Sequence, residues 1–567
     1  MTALRRRPAL MAAIVIFVIG AVGLSAVRHS PPLPVPRSAA IHDALHSRWV
    51  RRALSHAHWD RVVVDAIDNR LERVAFFDRG QILAQVALRH DGSLAQSIDF
   101  KVLPVPYGDW IAFYPPLLLL LAGLFVLVTG VAPWRRLRNL DVAFALTLVA
   151  PVVLLQHRYV NASVLSALPG LLYLFGRCAT RALAGERAPA PSTPLLDVLT
   201  PEWDPGRRVR LLRILLVALV LAFLMVTVSS VDAVDVLYAV MEGATKLLGG
   251  VLPYGHMPGD ILHGDTYPLL SYLVYVPLAW VSPVNSTWDS VDLGLGLTVA
   301  TVVVVAWVLF RANSARPRRA PGIRRRHGGR SRDPGQAEHE ATGLRAAVAW
   351  LSFPPVLVIA SSGTSDVVLA AMLVFALLLW RRPAASSAVL AAGAWFKLAP
   401  VALLPIRLAP LRGRRLAGAL GAVALVTLVM GALLVGLGGL SGVTAMLHAM
   451  AYQFSRGSPQ SIWSALGILP LQPVGEAATL ALVAGAVVRL WQEPQLAEDP
   501  RRMAALSAAV LIALQLAANY WAFLYVVWVV PLLGLSLLAE PSEIAVTEPA
   551  RAREPRPTEP RAAGALA

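Results

Sequence analysis

Acid, imidazole and phenol groups crowd into one stretch of this chain. Asp232, Asp235, Asp260, Asp265, His256, His263, Tyr254 and Tyr267 all fall between residues 231 and 269, directly after an apolar run over 211–228. Ionisable groups where a membrane helix meets water are costly, so they mark a functional site by default. The chemistry such a site could do is proton removal by a carboxylate. Asp232 and Asp235, three residues apart, would share a helix face, and each would disfavour ionisation of the other. A helix cap or an interface residue is the plainer reading of either one. Asp265, next to Tyr267-Pro268, could hold an acceptor hydroxyl or a metal, or simply stabilise its loop. His256 and His263 with Asp260 are ligand types for a divalent ion, but their spacing matches no metal motif and a solvated loop explains them as well. Metal dependence therefore stays open, and no cofactor is called for.

Two later positions could handle phosphate. Lys397 stands in an apolar segment, Ala394-Trp-Phe-Lys-Leu-Ala399, where its ammonium must either snorkel to the interface or find an anion. Arg456 lies in a polar stretch with His448, Tyr452, Gln453, Gln460 and Trp463. Arginine can bind a phosphate through two parallel hydrogen bonds, and aromatic rings can stack on sugar faces. The competing reading of that stretch is an interfacial amphipathic helix with aromatic anchors.

The elements that must position these groups are membrane helices. Of the 567 residues, 56% are hydrophobic and only 15% charged, and mean hydropathy is +0.60. Several apolar runs reach the ~18–20 residues that cross a bilayer. The formal net charge of +17 is carried mostly by arginines clustered in short segments between apolar runs. That pattern orients a membrane protein and argues against a nucleic-acid surface. With a single cysteine, Cys178, the chain holds no internal disulfide and no cysteine-based zinc site.

The expected fold is all-α, polytopic and transmembrane, with a small extracytoplasmic α+β module near the N-terminus. Residues 1–30 read as a signal anchor, Arg5-Arg-Arg7 preceding an apolar run. Residues 31–110 form the module: a helix over 41–59 and short strands near 61–67, 74–77, 82–88 and 94–100, with turn signals at Asp78-Arg-Gly80 and His90-Asp-Gly92. Transmembrane helices follow over 111–180, then a cytoplasmic linker over 181–210. The membrane body spans 211–538 and contains a basic cytoplasmic loop at 311–343. The tail, 539–567, has the composition of a disordered segment. One segment is awkward. If 268–283 and 293–310 both crossed fully, the arginine run at 311–332 would fall on the wrong side, so 268–283 is expected to be re-entrant or part-crossing. Residues 438–466 are expected to form a second external loop.

Four stretches, in order, resemble a known family. Asp235-Val-Leu-Tyr with Gly250-Val-Leu-Pro-Tyr254 and Tyr267-Pro-Leu269 is similar to the first external loop of the GT-C membrane glycosyltransferases. The nearest group is family eighty-seven, whose members use polyprenyl-phosphate-mannose. Pro354-Pro355 with Gly363-Thr-Ser-Asp366 resembles that group's external turn. Gly393-Ala-Trp-Phe-Lys-Leu-Ala-Pro400 resembles its lysine-proline segment, and Tyr525–Pro531 with Trp528 its last helix. The resemblance covers roughly 211–538. The chain departs from the group's pattern in Leu269, where a second proline is usual, and in Thr364, where a glutamine is usual. The aspartate-to-tyrosine spacing is also one residue short if Asp235 is the equivalent.

What the resemblance implies is a GT-C-like fold and an inverting transfer with an aspartate general base, Asp235 first and Asp232 as alternate. The donor would be a polyprenyl-phosphate sugar, with mannose or arabinose the guess. The acceptor would be a lipid-linked or cell-wall glycan. Lys397 and Arg456 would meet the donor phosphate. Asp265, Tyr254, Tyr267, His263, His448 and Gln460 would line the acceptor side or the loop. The protein would be a multi-pass plasma-membrane enzyme working on its extracytoplasmic face, partnered by the lipid bilayer and by no nucleic acid. The rival readings are a transporter or flippase of a lipid-linked substrate, which should show paired repeats, and a non-catalytic envelope scaffold.

Overall fold

The computed structural model describes residues 16, 35–66, 71–79, 81–89, 91–99, 110–183, 192–228, 234–258, 261, 263–282, 292–314, 334–455 and 460–538. Among these, seven helices are long and apolar enough to cross a membrane, or eight if the bent pair Gln336–Ser352 and Pro354–Ser361 is one span. The fold is an all-α polytopic bundle with a small sheet near its N-terminus. The N-terminal signal anchor and the C-terminal tail lie outside the described residues, as do most of the arginine run at 315–333 and residues 184–191 of the linker.

The bundle has two distinguishable ends. Arg213, near the start of Pro205–Val228, pairs with Glu340, near the start of Pro334–Ser352, so these two helices run parallel. Gly343 on the latter abuts Phe310 and Ser314 at the close of Asp292–Ser314, which therefore runs antiparallel to both. Arg138, Arg177, Arg207, Arg208, Arg381, Arg412 and Arg489 flank helix termini that close or open at this same arginine-rich end. Val228 and Asp292 are at the opposite end. Leu269–Leu273 and Val276–Val281 make a broken apolar pair. At about 20 Å it is too short to cross a ~30 Å hydrocarbon core. That length is what a re-entrant or part-crossing segment would have, and Asp292–Ser314 closes at the arginine-rich end.

The N-terminal module is a four-stranded antiparallel meander of β1 (Arg61–Ala66), β2 (Leu71–Asp78), β3 (Gln81–Arg89) and β4 (Leu94–Asp99). The expected single helix is two, Arg37–His46 and Arg48–Leu54, broken at Ser47, whose backbone is extended. Strand alternation splits β2 between two cores. Val74 and Phe76 face the helices with Ala40, Ala44, Val50 and Ala53. Ala75 and Phe77 face the other way and join the core of the membrane body. Ile82 N donates to Arg158 O at 3.2 Å and Gln81 Nε2 to His157 O at 3.1 Å, seating the sheet on the loop that opens Val160–Leu183. The module thus sits on the end that carries Asp235, with its helices on the face turned away from the bundle.

Gly413–Ser455 runs 43 residues. Unbroken, it would be about 65 Å long. It breaks at Gly439 (φ 61°, ψ −161°), a left-handed φ that glycine alone adopts without strain. The expected open loop over 438–466 is therefore helical as far as Ser455. The reason is packing: Met446, Ala449 and Met450, at i, i+3 and i+4, bury one face against the core around Leu252, Tyr254 and Tyr272. Gly438 and Gly442 make room for this, since a Cβ on either would fall 2.2 or 2.6 Å from Leu252 Cδ1.

Gly243 sits under the same core, where an added Cβ would lie 2.2 Å from the Tyr272 ring. That ring is fully buried and its hydroxyl is fixed by Gly264 O at 2.8 Å, so it cannot step aside. Gly243→Ala is expected to destabilise the protein by about 1–3 kcal/mol through overpacking, read as a lowered unfolding temperature in detergent. Gly250→Ala, with open space at its Cβ but a positive φ, separates backbone strain from crowding.

Candidate functional site

Three segments of separate sequence position meet at one carboxylate. Asp366 opens the Asp366–Leu378 helix and is completely buried. Lys397 Nζ lies 2.6 Å from its Oδ1, and Trp528 Nε1 donates to the same oxygen at 2.8 Å. The second oxygen accepts the Thr364 hydroxyl, while Thr364 Oγ1 accepts the Asp366 amide at 3.1 Å. The loop Gly363-Thr-Ser365 is thereby folded onto its own helix start, where the helix dipole favours a negative charge. Lys397 is where Pro383–Phe396 ends and the backbone becomes extended. Its ammonium is boxed by aromatic faces: Tyr267 at 5.5 Å, Trp528 at 5.8 Å and Tyr525 at 5.9 Å from the ring centres. So this lysine neither snorkels nor stands alone in apolar surroundings. Its charge is answered inside the protein by Asp366.

The first loop is laid over this cluster by aromatic and backbone contacts. Ser271 donates to Phe396 O, tying the broken apolar pair to the residue before Lys397. Tyr254, buried, donates to Tyr267 O at 3.1 Å, and Tyr272 OH accepts Tyr267 N at 3.3 Å. Gly255 N donates to Asp265 Oδ2 at 2.8 Å, closing the loop on itself. The distal part of the long helix caps the assembly. His263 stacks on Tyr452 at 3.9 Å, and Gln453 Nε2 donates to Thr266 O at 3.4 Å. Asn519 Nδ2 donates to Gln453 O at 3.0 Å, and Trp521 N to Gln460 O at 2.6 Å. His448 is on the same distal helix and exposed.

Asp235 begins the Asp235–Leu248 helix with its side chain exposed to water. The residue before it, Val234, donates its N–H to Ser362 O at 2.7 Å. This bond docks the helix start on the turn that leads to Asp366. Asp232, Asp260 and Arg456 lie outside the described residues. Of the residues singled out from sequence, Lys397, Tyr267 and Tyr254 are brought together. Asp265, His263, His448 and Gln460 are spread over the loop and the cap above. Among the described residues no three His, Cys, Asp or Glu side chains gather closely enough to hold a metal ion.

The contribution of Asp366, Thr364 and Trp528 to this centre goes beyond the sequence reading. Half of the signal was present: an ammonium in apolar sequence, Lys397, needs an anion in a low dielectric, but nothing local names which one. A cleft lined by Phe125, Leu309, Trp350, Arg138 and Arg345 among others lies at the arginine-rich end and not at this cluster. The chemistry-bearing groups, not the cleft, locate the site.

The sequence model of glycosyltransferase family 87 matches residues 266–541. The matched stretch contains Tyr267, Asp366, Lys397 and Trp528 and starts after Asp235. No curated protein and no solved structure matches the chain.

Removing one member of the buried pair strands the other, at about 3–5 kcal/mol. Asp366→Asn and Lys397→Met are each expected to lower the unfolding temperature strongly. The double variant is expected to lose less than the sum, which a double-mutant cycle in detergent reads directly. Burial pushes the Asp265 carboxyl above its usual range, despite the Gly255 N–H and the histidines His263 and His448. Its charged form is disfavoured by folding, so stability falls as pH rises through the interval between the ordinary and the raised value. Asp265→Asn keeps an oxygen for Gly255 and removes that slope. Its stability relative to the wild type is expected to rise as pH climbs above about 4, measured as unfolding temperature against pH.

Proposed function

We propose, taking the family 87 glycosyltransferase region of this multi-helix membrane protein as the premise, that it moves a sugar from a polyprenyl-phosphate donor to a hydroxyl of an envelope glycan or glycolipid, with Asp235 as general base. The observation that carries this choice is a contrast in exposure between two carboxylates, Asp366 completely buried and Asp235 exposed. Asp366 has both oxygens committed, to Lys397 and Trp528 on one side and to Thr364 on the other. Asp235 is exposed at a helix start docked on the same turn. A base must reach the proton it removes, so Asp235 fits that role and Asp366 fits that of a positioning residue.

In the proposed step the acceptor O–H gives its proton to the Asp235 carboxylate as its oxygen bonds to the anomeric carbon. The bond from that carbon to the phosphate oxygen breaks on the far side, and the electron pair leaves with the polyprenyl phosphate. One displacement inverts the centre. Phosphate is already a good leaving group, so no strong general acid is required. Lys397, neutralised by Asp366, holds the Tyr267–Trp528 wall, and Arg456 is the candidate for the leaving phosphate. The arginine-rich end suits the cytoplasm by the positive-inside tendency, which turns Asp235 and the module to the extracytoplasmic side of the plasma membrane. Mannose and arabinose are the sugars in view.

Asp235→Asn is expected to slow transfer by about a hundredfold to ten-thousandfold while leaving the unfolding temperature within experimental error of the wild type. The readout is incorporation of labelled sugar from a synthetic polyprenyl-phosphate donor by the purified protein. Unchanged transfer would remove Asp235 from the reaction.

A further inference from the structure

The Arg48–Leu54 helix of the module carries three arginines and no acid. Val50 and Ala53 are buried against the sheet. Arg48, Arg51 and Arg52, at i, i+3 and i+4, therefore share the opposite, exposed face. Like charges at this spacing oppose helix formation, and among the described residues none of the three has a carboxylate partner. Two tryptophans flank them: Trp49 is 42% exposed, with Arg48 over its ring at 5.6 Å, and Trp59 is 37% exposed, braced edge-on against Phe76 at 5.5 Å. His56 and His58 are exposed between them. Two acids of the module are engaged elsewhere, Asp60 by the Arg79 amide at 2.9 Å and Asp43 beside His42 at 3.4 Å. A helix that accepts self-repulsion and leaves indole faces in water is shaped for an external partner.

We propose that this face binds an anionic glycan chain, the guanidinia pairing with its carboxylate or phosphate groups and the indoles stacking on its sugar rings. Charge complementarity fixes the sign of the partner. The sheet fixes its location: Ala75 and Phe77 turn one face to the membrane body, so the basic helix looks away from it. The helical bundle is on the other side. Paired guanidinium and aromatic platforms suit a repeating chain of charged sugars, because arginine recognises each anion through a planar fork and a tryptophan offers a flat apolar body. This binding site is separate from the transfer centre, and its failure would leave the role of Asp235 unchanged.

The test uses the full chain in nanodiscs of uncharged phosphatidylcholine, with polygalacturonate as the probe and neutral dextran as control. Wild type is expected to bind polygalacturonate saturably and not dextran. Affinity should fall at least tenfold in R48Q/R51Q/R52Q, whose glutamines keep helix propensity, and measurably in Trp49→Ala. Raising salt should weaken wild-type binding and leave the residual binding of the triple variant nearly unaffected. No binding, or binding unchanged in both variants, would overturn the proposal. Capture of phosphatidylglycerol vesicles that the triple variant loses, with no polygalacturonate binding, would overturn it in favour of a lipid surface.

Discussion

A buried ion pair between Asp366 and Lys397 is the constraint on which the rest of this membrane body turns. Each charge alone would be intolerable where it stands, the one fully buried and the other 8% exposed. Together, with Trp528 and Thr364 also bonded to the carboxylate, they fasten three parts of the chain that lie far apart in sequence. Apolar packing between membrane helices fixes few unique registers, because lipid is as good a neighbour as leucine. One satisfied polar centre chooses among them. The aromatic walls around Lys397 then set where the first loop, through Tyr267, comes to rest.

Above that centre the protein changes its means of support. The loop from Gly249 to Pro268 is held by tyrosine hydroxyls, by a carboxylate closing on a backbone amide, and by glycines that let Leu252 and Tyr272 approach. The broken helix beyond Gly439 covers it. Asp235 belongs to neither layer. It is exposed at a helix start, one residue beyond a backbone bond to the turn that leads to Asp366. Rigid support below and access from above are the two properties a proton-accepting group in a transferase requires.

Much of this was legible in the sequence, for identifiable reasons. The strands of the module announced themselves through alternation and turn residues, and β1 to β4 lie where that pattern put them. Apolar length gave the spans, and arginine placement separated the two ends. The expectation that residues 268–283 do not cross fully came from charge parity, because an arginine run cannot change sides without a crossing. What stayed hidden was tertiary. Nothing local marks Asp366 as the partner of Lys397, 31 positions away, and composition alone left Lys397 suspended between snorkelling and pairing. The helical course of residues 440–455 was obscured by glycines at 436, 438, 439 and 442, which read as a loop until Leu252 is seen to need that space.

The central claim is that the reacting carboxylate is Asp235, on the turn built around the Asp366–Lys397 pair. A structure of the protein with polyprenyl phosphate and a short acceptor glycan bound tests it most directly. The account predicts the phosphate beside the Tyr267–Trp528 wall and an acceptor hydroxyl within hydrogen-bond reach of Asp235. A headgroup seated instead in the cleft between Arg138 and Arg345, or an acceptor hydroxyl turned to another carboxylate, would contradict it.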